Sequence, residues 1–457
     1  MSCKWVITEK EKEDGNKITK ARLVARGFKD VLLSEKTDSP TCTKQSLRLV
    51  FITASTMSWE LKSIDITSAF LQGDLNEREI HVIPPPEVAE DGKVWRLKRC
   101  LYGLCDAPRK WYDRVVKELT NLGGTVSKFD KALFFWHKNG VLIGILALHV
   151  DDFVHCGTNG WISSVLLNLI ECFKISKSEC ISFRFIGLNI VQTADAIQVD
   201  QNLYTKDLHS LPIDPERALN KDAPLSEEEK KNLRSINGQF QWLSTNTRPD
   251  IAFDTCVSSN CGKSPTVKNM LYANKIVRKL QKNEVHIRFP ALGDPKQWKL
   301  IVYGDASHAN LPSGASQGAY IIFLLGDNKM CPIIWRSKRL DRVTKSPLAS
   351  EISAIAEAAD AGFYSKSVIE EIFNVSCEVQ VFTDSDSLKK HMGTTNTIED
   401  LRVRVDTARL REMVDRKEMK LVWVASKKQL ADSLTKYNAP AAYLLRTLMS
   451  GVHQLEM

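Results

Sequence analysis

The chain has no C-x-x-C pair among its 11 cysteines, no internal repeat, no low-complexity tract and no apolar run long enough to cross a bilayer. An odd cysteine count without paired spacing excludes a disulfide-stapled secreted scaffold and a zinc-ribbon pattern, and predicts a reducing compartment. The longest apolar run, Val141 to Val150, falls well short of the roughly 20 residues of a membrane-spanning helix. Met1 to Gly15 is charged and lacks a signal-peptide core. These absences predict no membrane partner and an intracellular, cytoplasmic protein. A strong charge of one sign is missing too: +8 and a pI near 8.8 permit a polyanionic partner without demanding one. With 43% hydrophobic and 26% charged residues over 457 positions, the composition excludes disorder and suits two or three domains.

What the chain does have is carboxylates in apolar settings. The run Ile145 to Val150 ends in Asp151 and Asp152 before Phe153 and Val154 resume it, which reads as a β-hairpin with two acids at its tip. Asp is a favoured turn residue, so a lone pair of this kind is first a turn. Unpaired buried charge is costly, however, and a cation would neutralise the pair. Asp65, in Ser63-Ile64-Asp65-Ile66-Thr67, stands on the opposite strand face from its isoleucines. Three converging carboxylates can hold two divalent cations roughly 3.5 to 4 Å apart for phosphoryl transfer.

Organisation changes along the chain. Short strands and amphipathic helices mix up to about Val191, the segment from Gln192 to Pro290 is more helical, and a new unit begins near Gln297 after Gly293-Asp294-Pro295. This last unit reads as strands Lys299 to Tyr303, Ala319 to Leu325 and Pro332 to Trp335, then alternating helices and strands, which predicts a mixed sheet covered by helices. Four acids stand out there: Asp305 just past a strand, Glu351 early in a long helix, Asp384 at a strand end and Asp432 on a late helix. Each alone is explained by capping, the helix dipole or solvation. Lys275, Arg278, Lys279 and Lys282 occupy i, i+3, i+4, i+7 and form one basic helix face, either solvated or laid along nucleic-acid phosphates.

In this order the words of the sequence resemble the reverse transcriptase of copia-type retrotransposons, of an animal copia-like lineage. Lys20 to Phe28 resembles the fingers strand, Asp65 to Gly73 the first catalytic motif, Leu101 to Leu104 through Ala107-Pro108-Arg109 and Trp111 the second, and His149-Val150-Asp151-Asp152 the third. Thr247 to Ile251 is similar to a downstream signature. The final unit resembles ribonuclease H of the same elements at Tyr303 to Ser307, Ile334 to Lys338, Ser350 to Ile352, Thr383 to Ser385 and Ala431 to Lys436. Departures are His149 for the usual Tyr, Cys105-Asp106 for Lys-Gln, and a short, divergent stretch between Gly27 and Pro40.

The resemblance implies an α+β right-hand polymerase followed by an α/β ribonuclease H-like domain with a mixed sheet. Fingers and palm would span 1–195, thumb and connection 196–292, the ribonuclease H-like domain 293–445 and a tail 446–457. It implies an RNA- and DNA-directed DNA polymerase with ribonuclease H activity. Asp65, Asp151 and Asp152 would bind metal at one site, and Asp305, Glu351, Asp384 and Asp432 at the other. Each site would use two Mg²⁺ ions, for which Mn²⁺ could substitute. Lys20 and Arg22 would reach the triphosphate, Phe70 would lie under the incoming sugar, and Gly103 and the Lys275, Arg278, Lys279, Lys282 face would contact substrate. Implied partners are RNA template, DNA primer, RNA–DNA hybrid, deoxynucleoside triphosphates and other retrotransposon products such as capsid and integrase, within virus-like particles. The chain would be a processed portion of a polyprotein or a truncated reading frame. The rival expectation is a co-opted retrotransposon protein that binds nucleic acid without polymerising.

Overall fold

The computed structural model describes all residues except 12–16, 31–36, 76–77, 263, 395–399 and 453–457, and leaves out the side chains of Lys10 and Glu11. Part of the divergent stretch after Gly27 and the end of the expected tail thus lie outside the described residues. The chain divides into two units, Met1–Ser46 with Leu61–Cys180, and Leu47–Glu60 with Ile181–Met457.

In the first unit, β1 (Cys3–Glu11) and β2 (Lys17–Ala25) form an antiparallel ribbon. A larger sheet holds β3 (Lys62–Ile66), β4 (Thr125–Val126), β5 (Leu133–Lys138), β6 (Val141–His149), β7 (Asp152–Gly157) and β8 (Ile175–Cys180), in the spatial order β8-β3-β7-β6-β5-β4. Helix α1 (Ala107–Asn121) sends Trp111, Val115 and Leu119 into the core that also holds Ile64, Ile66, Leu146, Leu148 and Phe153. The near-continuous apolar run of β6 is that of a strand buried on both faces, with Ile145 to Leu148 all inaccessible.

In the second unit, β9 (Ser182–Phe185), β10 (Leu188–Gln192), β11 (Ala196–Asp200) and β12 (His286–Pro290) make an antiparallel sheet. Helices α2 (Glu227–Asn246) and α3 (Val267–Lys282) share a core through Leu233, Phe240, Met270, Ala273 and Val277. The Thr247 to Ile251 signature serves architecture here. Arg248 and Asp250 form a buried ion pair at 2.9 Å, and the guanidinium also donates to the carbonyls of Leu280 and Asn283 at the end of α3. Arg48 is buried with no carboxylate partner among the described residues: it donates to the carbonyls of Ile333, Thr245 and Asn246, with its guanidinium carbon 3.8 Å from the Trp335 ring centroid.

The remaining sheet has β13 (Lys299–Ser307), β14 (Gln317–Gly326), β15 (Lys329–Arg339), β16 (Glu378–Thr383) and β17 (Met419–Trp423) in the order β15-β14-β13-β16-β17. Its first three strands are antiparallel, while β16 and β17 run parallel to β13. Helix α4 (Pro347–Phe373) crosses this sheet. Ser346 caps it by accepting from the Ala349 amide, Pro347 opens it, and Asn374 ends it in the left-handed region. Two expectations change. Asp305 lies within β13, opposite Ala319, because that strand extends four residues beyond Tyr303. Asp432 opens a short 3₁₀ turn, Asp432–Leu434, in place of a helix; the Thr435 amide bonds back only three residues, and Pro440 comes soon after.

Candidate active sites

The first acidic set is built on three neighbouring strands. Asp65 on β3 lies directly opposite Asp152 on β7, so the two side chains emerge on one face of the sheet. His149 and Asp152 close a two-residue turn of Val150 and Asp151. Val150 sits at φ 59°, where glycine is the usual residue and a β-branched one is strained, at a cost of about 1–3 kcal/mol. Two bonds hold this turn: the Trp111 indole donates to the Val150 carbonyl at 2.6 Å, and the Ile66 amide donates to the Asp151 carbonyl at 3.1 Å. Trp111 is wholly buried; the sequence places it in the second motif, but its bond to this turn is visible only in the structure.

Electrostatics mark Asp151. Burial raises its pKa and the nearby Asp65 carboxylate raises it further, while its own backbone amide, Lys20 and Arg22 oppose the rise. Both basic residues stand exposed on β2, within electrostatic reach of the acid. The Asp65 carboxylate accepts a hydrogen bond from the Ser176 hydroxyl on β8, a partner that no sequence motif singles out. Phe70 meets Tyr102, ring centroids 5.2 Å apart. Gly103 is at φ 91°, and a Cβ there would lie 2.1 Å from the Ala25 carbonyl oxygen, so glycine is required where the second motif crosses β2. Asp106 is explained by packing: it is buried beside Arg78, whose guanidinium spans Asp30 at 2.7 Å and Asp106 at 3.1 Å. His149 is half-buried, its Nδ1 without a partner among the described residues; burial depresses its pKa, and Asp151 works the other way.

The second set is tighter. Among the described residues, Asp305, Glu351 and Asp384 form the one group of three acids whose ligand atoms all lie within 4.8 Å of one another. Asp65, Asp151 and Asp152 are not drawn that close. The approach of Glu351 depends on Gly304, since a Cβ there would stand 2.7 Å from Ile355 Cδ1 one turn farther along α4. Glu357 instead pairs with Lys338 at 2.8 Å. Asp432 is held by the Lys436 ammonium, which also lies 4.0 Å from Asp305. The Thr435 hydroxyl donates to Asp305 at Oδ2, the same oxygen that Lys436 approaches. Burial, then the neighbouring carboxylates, push the pKa of Glu351 up; burial dominates at Asp305 as well. Glu351 Oε2 is buried and has no hydrogen-bond partner among the described residues. Clustered hard oxygens with an unpartnered buried carboxylate oxygen fit a divalent cation.

The same crowding makes stability depend on pH. An acid whose folded pKa is raised binds more protons folded than unfolded above its ordinary value, so it destabilises the fold progressively as pH rises. For Glu351 that window runs from about 4.5 to about 9. Thermal unfolding in chelator should therefore show Tm falling from pH 5 to pH 8, and millimolar Mg²⁺ should remove most of that fall. A pH-independent, Mg²⁺-indifferent Tm would count against a cation at this cluster.

The basic face of α3 is partly committed elsewhere. Lys279 donates to Asp254 at 2.9 Å and to the Asp250 carbonyl, whereas Lys275 reaches the Asn438 side chain at 2.7 Å and Arg278 and Lys282 lie on the outer side of the helix. No helix among the described residues is long and apolar enough to cross a membrane.

Residues 1–210 match the family described as reverse transcriptase (RNA-dependent DNA polymerase). The chain is 27% identical over 95% of its length to the retrovirus-related Pol polyprotein from transposon RE1 of Arabidopsis thaliana, of which it covers 30%. It is 28% identical over 99% of its length to that from transposon TNT 1-94 of Nicotiana tabacum, covering 36%. It thus spans about a third of the length of these curated relatives. The solved structure of the foamy viral protease-reverse transcriptase in complex with RNA/DNA hybrid aligns with 95% of this chain and 51% of its own, at 15% identity and a TM-score of 0.51. The fold is accordingly that of a right-hand polymerase followed by a ribonuclease H-like domain.

Proposed function

We propose that this chain, which resembles the Pol polyproteins of copia-type transposons along nearly its whole length, is an RNA- and DNA-directed DNA polymerase that also degrades the RNA of its hybrid product. The observation that carries this reading is the pairing, in one chain, of a reverse transcriptase match over residues 1–210 with a clustered trio of carboxylates at Asp305, Glu351 and Asp384. Fingers and palm are assigned to 1–195, thumb and connection to 196–292, the ribonuclease H-like domain to 293–445 and the tail to 446–457. The chain itself divides between Cys180 and Ile181, ahead of the assigned end of the palm, with Leu47–Glu60, β9 and β10 belonging to the second unit.

Asp65, Asp151 and Asp152 hold Mg²⁺ at the polymerase site, and Asp305, Glu351, Asp384 and Asp432 hold it at the nuclease site. A bound pair of divalent ions supplies activation of the attacking oxygen and charge neutralisation at the phosphate. The chain's own residues do the rest. Lys20 and Arg22 bind the triphosphate, as point charge and as fork. Phe70 presents its ring to the sugar of the deoxynucleotide, and Gly103 lets the backbone approach closely. The turn at Val150 fixes Asp151 in place through Trp111. Lys275, Arg278 and Lys282 attract phosphates of the template–primer or hybrid, with Lys279 contributing less because Asp254 already neutralises it. The setting is intracellular, with capsid and integrase of the same element as companions.

The test is extension of a DNA primer on RNA and on DNA templates with Mg²⁺, together with cleavage of a labelled RNA–DNA hybrid. Both activities are expected from the purified chain, and both should vanish in chelator. Salt-sensitive binding of hybrid with neither reaction would sink the proposal in favour of a co-opted binding protein.

A further inference from the structure

Tyr102 spans the two substrate-facing features of the first unit. Its ring lies against Phe70, centroids 5.2 Å apart and tilted by 54°, and the guanidinium carbon of Arg22 is 5.9 Å from its centroid. Its backbone cannot drift: the Tyr102 carbonyl accepts from the Ala25 amide at 2.7 Å, and Gly103 is pressed on the Ala25 carbonyl. Its hydroxyl is engaged by Ser68, which sits at φ 50° just before the short helix Ala69–Gln72 that carries Phe70. The ring therefore contacts one aromatic side chain and stands within cation–π distance of one guanidinium, on a backbone fixed by main-chain contacts.

We propose that Tyr102 is a positioning residue for sugar selection: its ring fixes the height of the Phe70 ring relative to Arg22, so that a nucleotide held by its phosphates at Arg22 presents C2′ to Phe70 without room for a hydroxyl. This rests on the polymerase reading above. The physical basis is that a tilted aromatic contact restricts the Phe70 rotamer, and that loss of the brace opens space beside the Phe70 ring. Arg22 loses a cation–π contact in the same change.

The experiment measures kcat and KM for a deoxynucleotide and the matching ribonucleotide during primer extension by the full chain, with hybrid cleavage as the control for folding. Tyr102→Leu should lower the deoxy-to-ribo preference about tenfold, chiefly through a lower KM for the ribonucleotide, while cleaving hybrid at the parental rate. Tyr102→Phe keeps the ring and should hold the preference within about twofold. An unchanged preference in Tyr102→Leu overturns the proposal, and so does a several-fold loss in Tyr102→Phe. Complete loss of extension in Tyr102→Leu with cleavage intact also overturns it, because a brace for Phe70 alters the choice of sugar and does not remove the reaction. A parent chain that extends no primer instead refutes the polymerase reading itself.

Discussion

Asp151→Asn is expected to reduce primer extension on an RNA template by roughly 10³-fold or more while leaving hybrid cleavage within about twofold of the parent. The substitution is isosteric and the backbone that carries it is held independently of the side chain. The Ile66 amide bonds the Asp151 carbonyl, and Trp111 bonds the preceding carbonyl. What changes is charge, at a position where Asp65 is near enough to raise the Asp151 pKa and where Lys20 and Arg22 converge. Removing that charge takes away a ligand for cation and leaves the two basic residues without the acid they face. Asp65→Asn should be comparably severe. Extension by Asp151→Asn above about a tenth of the parental rate would show that this carboxylate is not part of the reaction centre, and intact cleavage separates the expected loss from global unfolding.

The strand-borne acids are legible in sequence because their signal is local. An acid flanked by Ile64 and Ile66, or one just after the apolar Leu146 to Leu148, is anomalous within a few residues of sequence, and the alternation of apolar positions gives its face. The mixed sheet of the second half is readable for the same reason: each strand is an apolar run bounded by turn residues. What stays hidden is long-range. Ser176 reaches Asp65 from a strand 111 residues away, Trp111 reaches the Val150 turn across 39, and no periodicity encodes either. Asp106 reads in sequence only as a departure from the second motif, and its physical account is Arg78, 28 residues upstream. The basic periodicity of α3 holds as a pattern and is silent on partners, so it does not distinguish Lys279, spent on Asp254, from Arg278. Asp432 reads as helical because a helix and a short 3₁₀ turn share their first few spacings.

At the second cluster, activity and stability should respond to one substitution in opposite directions. Asp305→Asn is expected to lower cleavage of an RNA–DNA hybrid by roughly 10³-fold, leave primer extension near parental, and raise the Tm measured in chelator at pH 8 by a few degrees, on the order of 2–4 °C per kcal/mol for a unit of this size. Asp305 is almost wholly buried, and its carboxylate shares a 4.8 Å space with Glu351 and Asp384. Lys436, 4.0 Å away and already bonded to Asp432, offsets only part of that charge. Asparagine keeps an oxygen for the Thr435 hydroxyl and turns an amide toward the remaining acids, so repulsion is relieved with no group orphaned. Added Mg²⁺ should stabilise the parent and do much less for the variant, because the variant lacks a ligand that binding would neutralise. A variant that loses cleavage and also melts lower in chelator would mean that Asp305 holds the fold together, and that the crowding of carboxylates around it is not strain kept for a cation.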